Sequence, residues 1–231
     1  MSEDVNIQAP PLMPLAEPEP GSGRLIATLG IAGFFSGLIL VSTYLFTLPM
    51  IQAHRAAALQ RAIYQVLPGV TSFEPLILQE GTLSLLPEGE ALTQGEESPR
   101  VFAGYDESGK LVGFAVSAQE PGFQDIIAGI FGYDPEKAAI IGFEVLESKE
   151  TPGLGDKIMK DQAFRTNFTA LAVDPQIVAV KKGEKRKANE VEAITGATIS
   201  SKAVVRLLDK GMGEWREVME GFAKSERKEK Q

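Results

Sequence analysis

The chain has 231 residues and a formal net charge of −8. That balance argues against a nucleic-acid binder, which needs cations to neutralise phosphates. There is no cysteine and only one histidine, His54. Disulfides, thiolate nucleophiles and histidine-cluster zinc sites are therefore excluded; the one histidine adjoins a long apolar segment, which argues against a Ser-His-Asp triad, and any redox chemistry must come from a cofactor.

Residues 1–24 are rich in Pro, Glu, Ser and Gly and read as a disordered tail that cannot bury a core. Residues 25–50 carry no charged side chain. They exceed the roughly 20 residues a helix needs to cross the hydrocarbon of a bilayer. The acidic start (Glu3, Asp4, Glu17, Glu19) and the long apolar run differ from a cleaved signal peptide. Gly33 and Gly37 have the spacing that lets two membrane helices approach closely, although glycine is common in such helices in any case. Arg24 precedes the span while Arg55 and Arg61 follow it, a difference too small to set orientation.

Residues 51–67 have helical composition and read as a stalk helix, stopped by Pro68-Gly69. Residues 68–223 form the expected globular domain. Within it, residues 87–99 read as an acidic loop. Two β-hairpins are expected, one around residues 106–110 and one around 134–137. Residues 161–172 read as a short amphipathic helix and 176–180 as a strand. The basic run 181–187 reads as a solvated turn between two strands, with an acidic partner or anionic lipid as the alternative. Residues 199–222 have the 3.6-residue apolar period of a long helix, with Trp215 on its buried side. Residues 224–231 form a charged tail. Hairpins with added helices give an α+β class with a mainly antiparallel sheet and flanking helices.

Two segments stand out. Thr195-Gly196-Ala197-Thr198 lies between a short strand and the long helix. The first N–H groups of a helix lack intrahelical partners and the helix dipole is positive there, so a phosphate is favoured. Gly196 permits a positive φ, and Thr198 offers a hydroxyl. An ordinary turn with a capping threonine fits the same four residues. Upstream lies Glu150-Thr151-Pro152-Gly153-Leu154-Gly155, flanked by Lys149 and Lys157. Its glycines let the backbone bend tightly and approach a flat ring, and a strand-ending turn is again the simpler alternative. Glu150 and Asp156 could also be read as paired carboxylates for hydrolysis, but a glycine-rich loop gives them no apolar surroundings to separate their pKa values.

Together the two segments resemble the RnfG- and NqrC-like subunits of Rnf-type and sodium-pumping quinone reductase complexes. The resemblance covers most of residues 53–222. It implies FMN as cofactor, joined by a phosphoester to Thr198, with Thr195, Gly196 and Ala197 forming the attachment loop. It also implies that Glu150, Thr151, Gly153, Leu154 and Gly155 form a second cofactor-binding loop. Glu192 stands where the family usually has Asp. A flavin transferase using FAD is the implied maturation partner. The other implied partners are subunits of a membrane complex coupling ferredoxin and NAD redox chemistry to ion movement. The domain is then expected on the periplasmic, extracytoplasmic side of the cell membrane, relaying electrons. An NqrC-like subunit of a quinone reductase, a standalone membrane-anchored redox-sensing module and a non-redox scaffold are the alternatives.

Overall fold

The computed structural model describes residues 21–79, 81–86 and 100–229. The tail at 1–20 and the acidic loop at 87–99 fall outside them. The chain divides into two units, Met1–Ile51 and Gln52–Gln231.

The first unit contains most of helix α1 (Ser22–Val66), apolar and exposed through residues 25–46. At about 1.5 Å per residue it outspans the ~30 Å hydrocarbon layer. The Thr28, Thr43 and Thr47 hydroxyls each donate to a carbonyl four residues earlier, at 2.8, 2.8 and 2.9 Å. These three hydroxyls are thereby satisfied within the helix, as a lipid environment favours.

The second unit is a three-layer α/β/α arrangement. Strands β1 (Ser72–Gln79), β2 (Thr82–Leu85), β3 (Val101–Tyr105), β4 (Leu111–Pro121), β5 (Ile126–Asp134) and β6 (Ala139–Glu147) form one antiparallel sheet. Helices α2 (Lys157–Lys160) and α3 (Gln162–Thr166) follow, and β7 (Leu171–Ala172) completes the sheet in the order β2-β1-β3-β4-β5-β6-β7. Strands β8 (Val178–Val180) and β9 (Glu190–Glu192) form a separate parallel pair before α4 (Thr198–Glu229).

Alternation along the strands gives the sheet two buried faces. Phe102, Ala115 and Ile130 meet Ala62, Ile63, Val66 and Leu67 on one side. Val101, Ala103, Phe114, Val116 and Phe131 face the α4 side chains Val204, Leu207, Leu208 and Met212 on the other. A β-carbon at Gly132 or Gly142 would collide with the Val66 backbone, so these glycines let the last turn of α1 lie directly on the sheet.

Both expected hairpins form, as does the long helix, which continues to Glu229, where Arg227 pairs with Glu136 at 3.0 Å. Trp215 is half-buried against the core. Of the helix expected over 161–172 only the first part forms, as α3, and residues 171–172 are strand β7 instead. Asp161 is extended (φ −75°, ψ 109°) and its carboxylate accepts the Phe164 N–H, capping α3. Asn167 then donates to the Phe164 carbonyl at 3.0 Å and ends that helix. Side-chain bonds to the backbone here override an apolar period. Strands β1 and β2 give no clear sequence signal, because Pro75 and short length hide them.

Candidate functional site

Three segments converge at one end of the sheet. The β4–β5 connection closes with the Gly122 N–H donating to the Asp125 carbonyl at 2.9 Å. The loop after β6 turns at Gly153 (φ +77°), whose N–H donates to the Asp156 carboxylate at 2.7 Å. The Leu154 N–H donates to the Thr151 carbonyl at 3.1 Å. Thr151 in turn donates its hydroxyl to the Gln124 side chain at 2.9 Å, tying the loop to the β4–β5 turn.

The third segment is the start of α4. The Ala197 N–H donates to the Ile194 carbonyl at 3.0 Å, closing a turn whose third residue, Gly196, has φ +85°. A side chain there would be strained, which explains the glycine. Ser201 is fully buried and locks this turn. Its hydroxyl accepts the Ile194 N–H at 3.0 Å and donates to the Ala197 carbonyl at 2.8 Å.

The Ala197 carbonyl accepts the first bond of the helix, from the Ser201 N–H at 2.9 Å, so Ala197 is the cap residue. Alanine has no side-chain acceptor. The N–H groups of Thr198, Ile199 and Ser200 therefore find no partner among the described residues, and neither does the exposed Thr198 hydroxyl. No acidic residue occupies the first turn. A long helix thus presents an uncapped positive end beside a free hydroxyl, the donor set a phosphate group requires.

Beside it lies a cavity of about 360 Å³ lined by Phe123, Glu150, Thr151, Leu154, Gly155 and the segment 196–200. That volume is near the lower end for small-molecule sites. Phe123, Leu154 and Ile199 are 67%, 51% and 52% exposed, large apolar side chains left open around one concavity. An aromatic ring seated there would remove them from water, at about 25 cal/mol per Å². The residues present therefore fit an aromatic phosphomonoester such as FMN.

The cavity gathers seven of the nine predicted site residues: Thr198, Ala197, Gly196, Glu150, Thr151, Leu154 and Gly155. Gly153 lines no part of it and serves the bend instead. Thr195 faces a different cavity of about 230 Å³, together with Lys157, Phe164, Asn167, Lys182 and Glu192. Glu192 is engaged there, accepting the Gly183 N–H at 3.1 Å. Phe123 escapes sequence reasoning. Its signal is an apolar aromatic in a tight turn, 27 residues before the Glu150 whose carboxylate binds its N–H, and only the sheet register brings the two together.

The charges around the site are largely neutralised. Lys149 pairs with Asp125 at 3.0 Å, so its ammonium is held by a neighbouring carboxylate, which raises its pKa. Lys160 pairs with Asp156 at 2.6 Å, holding that carboxyl below its usual range. Glu150 is only 5% exposed. Burial pushes its pKa up, but the Ser200 hydroxyl and the N–H groups of Gln124 and Phe123 outweigh this and hold it below the usual range. Both carboxyls are thus lowered, whereas a general acid–base pair needs them pushed apart.

Residues 122–212 match the family described as FMN-binding domain, a range holding both loops and the first half of α4. The chain is 30% identical over 185 residues to the G subunit of an ion-translocating oxidoreductase complex from Methanosarcina acetivorans, covering 80% of this chain and 89% of that one. It is 30% identical over 141 residues to the G subunit of the Na(+)-translocating ferredoxin:NAD(+) oxidoreductase complex of Acetobacterium woodii, covering 61% of this chain and 65% of the relative. The crystal structure of Shewanella oneidensis NqrC superposes with a TM-score of 0.56 over 75% of this chain and 99% of that one. At 21% identity, that likeness speaks for the fold alone.

Proposed function

Because this chain belongs to the RnfG-like family of ion-translocating oxidoreductase subunits, we propose that it is a membrane-anchored electron carrier whose FMN is esterified through its phosphate to Thr198. The observation that carries the attachment site is the uncapped start of α4, where a free hydroxyl and three unpartnered N–H groups adjoin an apolar cavity.

The chain's own residues have separable tasks. Thr198 supplies the oxygen of the ester. Its hydroxyl forms the new O–P bond at the FMN phosphorus of FAD on a flavin transferase. The phosphoanhydride breaks, AMP departs, and the hydroxyl proton is released. The N–H groups at positions 198–200 would hold the phosphate at the positive helix end. Phe123, Leu154 and Ile199, which line the cavity, would wall the ring and exclude water from it. The bound group supplies reversible electron acceptance and donation, and the protein sets its exposure and surroundings. A covalent link at the phosphate prevents loss of the cofactor while leaving the ring free to respond to those surroundings.

On this proposal the domain lies on the extracytoplasmic side, anchored by residues 25–50, as part of a ferredoxin/NAD complex like those its relatives are named for. A quinone-reductase role rests on fold likeness alone and is not favoured. The test is coexpression with a flavin transferase followed by fluorescence of the denatured band. Wild type and Thr195→Ala should fluoresce and Thr198→Ala should be dark. A dark wild-type band beside an active transferase contradicts the proposal.

A further inference from the structure

We propose that Glu150 is the positioning residue of this site: its carboxylate clamps the three segments that wall the cavity and sets their spacing, acting through the β4–β5 turn and Ser200. The inference deepens the FMN reading and rests on it for the identity of the ring.

The geometry is specific. Glu150 Oε1 accepts the N–H groups of Phe123 and Gln124 at 2.9 and 3.0 Å. Its other oxygen accepts the Ser200 hydroxyl. One side chain thus joins the turn bearing Phe123, the loop bearing Leu154 and the helix start bearing Thr198. Glycines close in on both oxygens. A β-carbon at Gly122 would strike Oε1, and one at Gly155 would strike Oε2. Two glycines from separate segments therefore leave room for this one carboxylate.

No lysine or arginine pairs with Glu150 among the described residues. The nearby buried Glu120 differs, holding Arg206 at 2.8 Å and Lys210 at 2.7 Å. Glu150 has only hydrogen bonds to replace its hydration, so its bonds must all be made together. A carboxylate kept for charge alone would tolerate shortening. One kept for reach would tolerate loss of charge but not of length.

Two variants separate these roles. Glu150→Gln keeps the length, keeps an acceptor for the two N–H groups, and can bond the Ser200 oxygen through its amide. Glu150→Asp keeps the charge and is one methylene too short to span both sides. In the full-length chain without flavin, amide hydrogen exchange at Phe123 and Gln124 should accelerate about ten-fold or more in Glu150→Asp and stay near wild type in Glu150→Gln. In the flavin-loaded chain, the visible circular dichroism of the flavin and its shielding from iodide quenching should fall in Glu150→Asp and be retained in Glu150→Gln. Equal behaviour of both variants and wild type, or a more severe defect in Glu150→Gln than in Glu150→Asp, overturns the clamp. A wild-type chain that takes up no flavin instead sinks the cofactor reading, on which the second arm alone depends.

Discussion

Every structural demand at Thr198 is local. The hydroxyl is exposed, the helix is uncapped, and Gly196 bends the backbone at φ +85°. The bend at Gly196 and the hydroxyl of Thr198 are legible in the sequence, but the same four residues also fit a turn capped by threonine, and the bare cap at Ala197 is seen only in the fold. The role of Glu150 is only partly legible, since its partners at Phe123, Gln124 and Ser200 are remote in the chain. Its titration gives a prediction. The folded pKa lies below the unfolded value of about 4.3. The stabilisation is therefore fully present above that value and is lost as pH falls through the folded pKa. Thermal melts between neutral and acidic pH should show the stability gap between wild type and Glu150→Gln narrowing toward acid. A gap that widens toward acid would mean that the carboxylate is destabilised in the fold.

Among the elements, α4 does most to build the site. Its buried stripe fixes the helix on the sheet, and the fixed helix brings its first turn to the wall of the cavity. Hairpins and α4 are readable from period and turn chemistry. The early stop at Asn167 is not, because its side-chain bond to the Phe164 carbonyl leaves the apolar period unchanged. The bare cap implies a stability–function compromise. Ala197→Ser should supply an acceptor for one free N–H and stabilise the flavin-free chain by about 0.5–1 kcal/mol. It should also slow flavin loading, because the phosphate must then displace the new bond. Chemical denaturation and a loading time course measure the two effects. Unchanged stability would argue that these N–H groups are not free.

At the scale of the molecule, a membrane helix precedes a domain whose site draws on turns separated by up to 78 residues, from Gly122 to Ser200. Such long-range assembly is why the two glycine loops are readable from the chain while Phe123, on the facing β4–β5 turn, is not. The side of the membrane is not readable either, since the flanking arginines, Arg24 before the span and Arg55 and Arg61 after it, differ too little in number. The absence of cysteine makes orientation measurable. Glu107→Cys, in the exposed β3–β4 turn, should be labelled in intact cells by a maleimide that cannot cross the cytoplasmic membrane. Labelling only after lysis would put the domain in the cytoplasm and contradict the proposed side.

The claim on which the rest depends is a covalent bond at one oxygen. Intact-mass analysis of the full chain made with an active flavin transferase, followed by fragmentation of the peptide spanning residues 193–202, tests it most directly. The account predicts a single added FMN phosphoester on Thr198, lost completely in Thr198→Ala. An unmodified wild-type mass, or the same addition on Thr195, Ser200 or Ser201, would contradict it.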